Sequence, residues 1–192
     1  MDQEAASLHV GFAVALRALL EPVPDAGVVD HVSVLDERHS PLDGIATAWF
    51  NAYPDERVLL NWVVGITHAL QLLDGKDVLV RALILIEKAV RRGAMLTCYS
   101  IRPVVLSAVL VSMKLSVDEE NAGISTGLRK AGLSKVHGRL LAKLEFVFLQ
   151  AVDWQLSADV ATFLNYKEAL IEASHMPITA QQEGDQRATS GD

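Results

Sequence analysis

Residues 104–115 read Val-Val-Leu-Ser-Ala-Val-Leu-Val-Ser-Met-Lys-Leu, and this stretch decides the fold. Wound into a helix, it is apolar on every face except at Ser107, Ser112 and Lys114. A helix that is apolar nearly all round has to be covered on all sides by other elements. Pro103 fits the first turn of this helix, where its missing N–H costs nothing. The stretch therefore predicts the central helix of a helical bundle.

The segments on either side of this stretch also space their apolar residues as helices do. None of them alternates apolar and polar residues for long enough to predict a strand. Ser134 and Ser157 are predicted as helix starts, because serine is a common N-cap. The fold class is therefore all-α, with further helices predicted over residues 5–21, 58–73, 77–93, 124–130, 134–152 and 158–173.

Proline, glycine and polar residues mark the boundaries of the helical part of the chain. Residues 22–45 hold three prolines and two glycines without a sustained period, which predicts a long surface segment. Residues 176–192 have almost no apolar side chains and are predicted to be disordered. We therefore expect an N-terminal helix with its connector at 1–45, a helical domain at 46–175 and a tail at 176–192. The N-terminal helix either packs on the domain or engages a partner, and packing is the preferred interpretation.

The bulk composition narrows the class of protein. The 192 residues are 51% hydrophobic, with a mean hydropathy of +0.25, yet no apolar run reaches the roughly 20 residues of a membrane span. Seventeen basic against 24 acidic residues give a net charge of −7, the wrong sign for a protein that mainly binds nucleic acid. Cys98 is the only cysteine, which fits a reducing compartment. The sequence predicts a cytoplasmic or nuclear protein without membrane or nucleic-acid partners.

No pattern of residues predicts a catalytic, phosphate-binding or metal-binding site. Cys98 has no neighbouring base that marks it as a nucleophile, and no Gly-rich loop precedes a helix as a phosphate site requires. The chain is therefore expected to have no catalytic residue, no metal and no cofactor, and not to be an enzyme. None of the six histidines is paired with another at the spacing of metal ligands. They are His9, His31, His39, His68, His137 and His175.

Two ionisable residues lie where the apolar pattern has no structural need of them. Lys114 ends the central helix, and Glu145 lies midway along the long helix predicted at 134–152. One interpretation is an intramolecular ion pair between the two. The other is that both belong to a surface that binds a partner.

Several segments around these two residues resemble the cyclin box. Residues 107–119 (Ser-Ala-Val-Leu-Val-Ser-Met-Lys-Leu-Ser-Val-Asp-Glu), residues 144–156 (Leu-Glu-Phe-Val-Phe-Leu-Gln-Ala-Val-Asp-Trp-Gln-Leu) and residues 163–166 (Phe-Leu-Asn-Tyr) are similar to its third, fifth and following helices. Residues 82–88 (Ala-Leu-Ile-Leu-Ile-Glu-Lys) are similar to its second helix. Phe50 and Pro54 resemble the entry to the box in the phosphate-regulatory (P/U-type) cyclins. The resemblance covers about residues 46–170.

The resemblance implies a five-helix cyclin box around a buried central helix, with an extra N-terminal and an extra C-terminal helix. It also implies a regulatory subunit that binds and activates a cyclin-dependent protein kinase, in cell-cycle control or phosphate signalling. In the family, a lysine and a glutamate matching Lys114 and Glu145 hold the backbone and the C-helix region of the kinase. The apolar positions that flank them there match Leu115, Leu149, Trp154 and Leu156. Kinase substrates or inhibitors are further partners that the resemblance implies.

Two other functions are weighed against this one. A cyclin-fold adaptor in transcription, without kinase activation, usually needs two boxes and a basic face, whereas this chain has room for one box and is acidic. A helical enzyme ranks lowest, because no acid, base or nucleophile constellation is present.

The sequence departs from the pattern of the cyclin family at the start of the central helix. Arg102-Pro103 stands there, where the family commonly has His-Arg.

Overall fold

The computed structural model describes residues 2–21, 35–43, 54–72, 76–116 and 124–175. Across these ranges there are seven helices and no strand, so the prediction of an all-α fold is confirmed. The predicted disordered tail at 176–192, Phe50 and most of the predicted connector lie outside the described residues. The helices are Gln3–Leu19 (α1), Glu56–Ala69 (α2), Lys76–Arg91 (α3), Ile101–Ser116 (α4), Ile124–Lys130 (α5), Gly138–Ala151 (α6) and Val160–Ala173 (α7).

Helix α4 is the central element that its apolar sequence predicts. Every residue from Ile101 to Met113 is buried, with α3 packed along the helix on one side and α6 on another. The hydroxyl of Ser107 donates to the carbonyl of Pro103 at 2.7 Å, so this polar group is satisfied inside the core. None of the helices described is both long and apolar enough to cross a bilayer.

Helix α1 packs on the rest of the bundle, against α2, α3 and α7. Its residues Leu8, Phe12 and Leu16 are fully buried, which agrees with the preferred interpretation of the N-terminal helix. The close approach to α7 depends on Gly11, where a Cβ atom would overlap the backbone carbonyl of Leu170. A larger residue at this position would therefore push α1 and α7 apart.

The predicted start of α6 at Ser134 is wrong by one turn. The helix begins at Gly138, and the Nδ1 atom of His137 accepts the backbone N–H of Leu140 at 3.2 Å as the N-cap. Residues 131–136 instead form a turn, because Gly132 has a φ of +98° and the buried side chains of Leu133 and Val136 hold the chain against the core.

The predicted start of α7 at Ser157 is wrong as well. The helix begins at Val160, and the carboxylate of Asp159 accepts the backbone N–H of Thr162 at 2.8 Å. This hydrogen bond holds the pKa of Asp159 below its usual value. The carbonyl of Ser157 accepts a hydrogen bond from Lys88 at 2.6 Å, so the segment before α7 is fixed to α3.

The prediction that residues 22–45 form a surface segment is wrong for most of the described residues 35–43, of which only Arg38 and His39 are exposed. Glu37, Leu42 and Asp43 are buried, because both carboxylates form ion pairs with Arg102 in the first turn of α4. The Nε atom of Arg102 donates to Glu37 at 2.7 Å, and its Nη1 atom donates to Asp43 at 2.9 Å. Burial opposes the charge on Arg102, but the hydrogen bonds to the two carboxylates outweigh it and raise the pKa of the guanidinium.

Candidate partner-binding site

Helix α4 leaves the core at its last turn. Met113 is still buried, whereas Lys114, Leu115 and Ser116 are exposed. The helix therefore changes from buried to exposed between Met113 and the next residue. The C-terminal end of the central helix therefore presents a charged and an apolar side chain side by side at the surface.

Lys114 and Glu145 form an ion pair between α4 and α6. The Nζ atom of Lys114 lies 2.6 Å from the Oε2 atom of Glu145, and the two side chains are 45% and 17% exposed. The intramolecular pair considered from the sequence is therefore present. An ion pair at the surface contributes only about 0–1 kcal/mol to stability. Breaking it therefore costs little, and both groups can exchange it for contacts with a partner.

The ion pair borders a shallow cavity where α4, α5 and α6 meet. The cavity has a volume of about 220 Å³. Its other lining residues come from α5 and the first half of α6, and they are Ile124, Ser125, Gly138, Leu141 and Ala142. The pair therefore lies at the edge of a concave surface rather than on an isolated ridge.

Helix α6 continues this surface with an aromatic residue that the sequence analysis missed. This residue is Phe146, which follows directly after Glu145 and is 52% exposed. Leu149 lies one turn beyond both residues, so helical spacing places it next to each of them. The sequence did hold a sign that Phe146 is exposed. The buried face of α6 consists of Leu141, Leu144 and Phe148, and helical spacing places Phe146 outside it.

Trp154 stands at the far end of α6 in an unusual backbone conformation. Its φ is +59°, in the left-handed region that costs a bulky residue about 1–3 kcal/mol. Its backbone N–H donates to the carbonyl of Leu149 at 2.9 Å, which fixes the turn. The indole is 56% exposed and meets the Phe146 ring edge to face, with 6.1 Å between the ring centroids. The turn therefore holds two exposed aromatic rings together.

The site residues predicted from the sequence fall into two groups. Leu149 and Leu156 are half buried and pack against the core, so their contribution to a surface is partial. The others are Lys114 and Glu145 of the ion pair, Leu115 next to Lys114, and Trp154 in the left-handed turn after α6. We call this turn, with the Phe146 ring that it contacts, the aromatic turn. We call the six predicted residues, with Phe146 added, the α4–α6 surface: Lys114, Leu115, Glu145, Phe146, Leu149, Trp154 and Leu156.

A second cluster of titratable groups, between α3 and α7, has a structural role. Tyr166 on α7 donates to Glu87 on α3 at 2.8 Å, and Arg91 donates to the same carboxylate oxygen at 2.8 Å. Burial, followed by the hydrogen bond to Glu87, raises the pKa of Tyr166, so its phenol stays protonated. This cluster joins α3 to α7. Within the described ranges, no group of three or more His, Cys, Asp or Glu residues is placed to hold a metal ion.

In comparisons with protein-family models, curated proteins and solved structures, the chain finds no match.

Proposed function

We propose that the chain is a regulatory subunit that binds a cyclin-dependent protein kinase through the α4–α6 surface and stabilises the active position of the kinase C-helix. The observation that carries the proposal is the accessible ion pair of Lys114 and Glu145, flanked by the exposed side chains of Leu115, Phe146 and Trp154. The resemblance of residues 46–170 to a cyclin box supplies the class of partner. On this proposal residues 46–175 form a single cyclin box and its following helix.

The composition of the α4–α6 surface suits a protein interface. Two aromatic rings and a leucine can exclude water from the centre of a contact, where a few residues carry most of the binding energy. Lys114 and Glu145 can fix the position of the kinase on this surface when each residue exchanges the other for a group on the kinase. This exchange costs little, because an exposed ion pair contributes only about 0–1 kcal/mol.

Binding would activate the kinase by a shift in its conformational equilibrium. A protein kinase is active only when a lysine on its third strand pairs with a glutamate on its C-helix. A surface that binds only the inward C-helix shifts the population towards that state. The α4–α6 surface is rigid enough for this role, because α4 is buried over most of its length and α6 packs on it. The subunit itself performs no chemistry in this mechanism.

The test reverses the charge of Lys114 and compares the variant with a matched control. The control is Lys167→Glu, since Lys167 also forms a 2.6 Å ion pair between two helices, with Glu4 of α1. Both variants break one surface pair and change the net charge equally. Each is co-expressed with a panel of tagged cyclin-dependent kinases, and co-purification is measured with the helical circular dichroism signal.

Lys114→Glu is expected to weaken kinase binding by at least about tenfold, as for a residue at the centre of an interface. Lys167→Glu is expected to bind like the wild type, and both variants are expected to stay helical. Equal binding by wild type and Lys114→Glu would overturn the assignment of this surface. Failure of the wild-type chain to bind any kinase in the panel would count against the proposed function itself.

A further inference from the structure

Residues 121–144 carry a charge opposite to that of the rest of the chain. This run contains no aspartate or glutamate, while its basic side chains are Arg129, Lys130, Lys135, Arg139 and Lys143. The run therefore contributes +5, and the remainder of the chain carries −12. The excess positive charge is concentrated in α5, the turn after it and the first half of α6.

The backbone directs these basic side chains outward. Leu128 at the end of α5, Leu133 and Val136 in the turn, and Leu141 in α6 are buried at intervals through the run. The turn is held by the N–H of Leu133, which donates to the carbonyl of Leu128 at 3.0 Å and closes the end of α5. The basic residues lie between these buried positions in the sequence, and all five are exposed. We call these five residues the basic face.

Within the described part of the chain, no acidic side chain neutralises the basic face. None of its five residues forms an ion pair with any residue that the structure describes. Some cations elsewhere on the surface do have acidic neighbours, as in the pairs of Arg92 with Asp153 and Lys167 with Glu4. The positive potential of the basic face is therefore directed at solvent.

The basic face continues into the α4–α6 surface. Arg139 and Lys143 lie four residues apart on α6, so they project from the same side of the helix. Phe146 follows Lys143 by three residues and is also exposed, which places an aromatic ring next to the two cations. A partner that lies along α6 would therefore meet positive charge first and apolar surface second.

We propose that the basic face is a docking surface for an acidic peptide segment of a partner protein, a segment rich in Asp and Glu. Charge complementarity identifies the occupant: five exposed cations on an otherwise acidic protein attract an anionic chain and orient its approach. The inference goes beyond kinase binding and does not depend on it, because it rests on residues outside the Lys114–Glu145 pair.

A run of carboxylates fits this face better than a single phosphate or a nucleic acid. The five cations are spread over α5, a turn and α6, and none of them lines the cavity beside Glu145, so they do not converge on one anion. A nucleic acid carries charge along its whole length. Beyond the basic face it would meet the rest of the chain, which carries a net charge of −12, whereas a short peptide segment would not.

The test measures binding of a fluorescent peptide of alternating Glu and Ser residues to the full chain by anisotropy. The variant is Arg139→Gln with Lys143→Gln, which removes two exposed charges that have no described partner. The matched control is Arg57→Gln with Lys167→Gln, which lowers the net charge by the same amount away from the basic face. All three proteins are measured at low salt and at about 0.15 M NaCl, where charges are screened beyond about 8 Å.

The wild type and the control are expected to bind the peptide with the same salt-sensitive Kd. The Arg139/Lys143 variant is expected to bind about fivefold more weakly at low salt, from the loss of two exposed charge contacts. Equal weakening by the control would mean that only net charge matters and would overturn the proposal. Absence of peptide binding at low salt, or tighter binding to a duplex DNA of similar length, would overturn it too.

Discussion

Helix α4 has an ion cluster at its first turn and an ion pair at its last, and the two differ mainly in burial. Arg102 at the first turn is 1% exposed, and its partners Glu37 and Asp43 are 0% and 5% exposed. Lys114 at the last turn is 45% exposed and pairs with Glu145, which is 17% exposed. Both sets join α4 to another segment of the chain at hydrogen-bond distance. Only the second can be reached by another molecule.

The difference separates a structural role from a binding role. A buried charge that loses its partner has no water to replace it, so the Arg102 cluster is required to keep residues 35–43 on the bundle. An exposed charge that loses its partner is solvated again at little cost. The same helix therefore uses ion pairing for folding at one end, and we propose that it uses ion pairing for recognition at the other.

The largest expected effect comes from the buried end. Arg102→Met leaves the carboxylates of Glu37 and Asp43 buried without their cation, which is expected to cost about 3–5 kcal/mol of unfolding free energy. Urea denaturation followed by circular dichroism measures this loss. The matched control is Arg92→Met, which breaks an exposed pair with Asp153 and should change stability by no more than about 1 kcal/mol. Equal losses in the two variants would remove the distinction drawn between buried and exposed pairs.

The aromatic turn beside the exposed end is expected to affect binding far more than stability. Phe146→Ala and Trp154→Ala should each weaken kinase binding by about tenfold, because exposed aromatic residues are common hot spots. Met95→Ala is the control, since Met95 is 45% exposed but lies in the loop before α4 begins. Isothermal titration with the kinase from the co-purification panel gives the three Kd values. Loss of binding in the Met95 variant, with none in the other two, would place the interface at the opposite end of α4.

The exposed ion pair alone is expected to have a small effect on stability. Lys114→Met removes the cation but leaves Glu145 partly accessible to water, so the unfolding free energy should fall by no more than about 1 kcal/mol. Urea denaturation checks this value. A loss close to that of Arg102→Met would show that the pair is a structural element of the fold.

The smallest expected effect concerns Cys98, which lies near the buried end. Burial raises the pKa of its thiol, so the stability that the thiol contributes is complete below the unfolded value of about 8.5 and falls as the pH rises above it. The native protein is therefore expected to lose slightly more stability between pH 8 and pH 10 than Cys98→Ala does. Denaturation at several pH values measures the difference, and parallel curves for the two proteins would contradict it.

The central helix was predictable from the sequence, and the cluster that fixes its start was not. A stretch that is apolar on all faces has only one stable environment, so residues 104–115 were enough to predict a buried helix. Arg102 is 65 positions from Glu37 and 59 from Asp43 in the sequence. No local pattern links charges at such separations, and the prolines and glycines of residues 22–45 pointed to the surface instead.

The candidate site was predictable in part. The positions of Lys114 and Glu145 against the apolar pattern predicted that the two residues matter, and the structure brings them together. The exposure of Phe146 and the left-handed turn at Trp154 depend on how α6 is rotated and where it ends. Helix ends are set by tertiary contacts such as the burial of Leu133 and Val136, which a single sequence does not display.

The central claim is that the exposed pair serves a partner rather than the fold. It is tested most directly by the double variant Lys114→Glu with Glu145→Lys, which keeps an ion pair between α4 and α6 but reverses its direction. We predict an unfolding free energy within about 1 kcal/mol of the wild type, together with loss of co-purification with the cyclin-dependent kinase. Kinase binding at the wild-type level by this variant would contradict the claim.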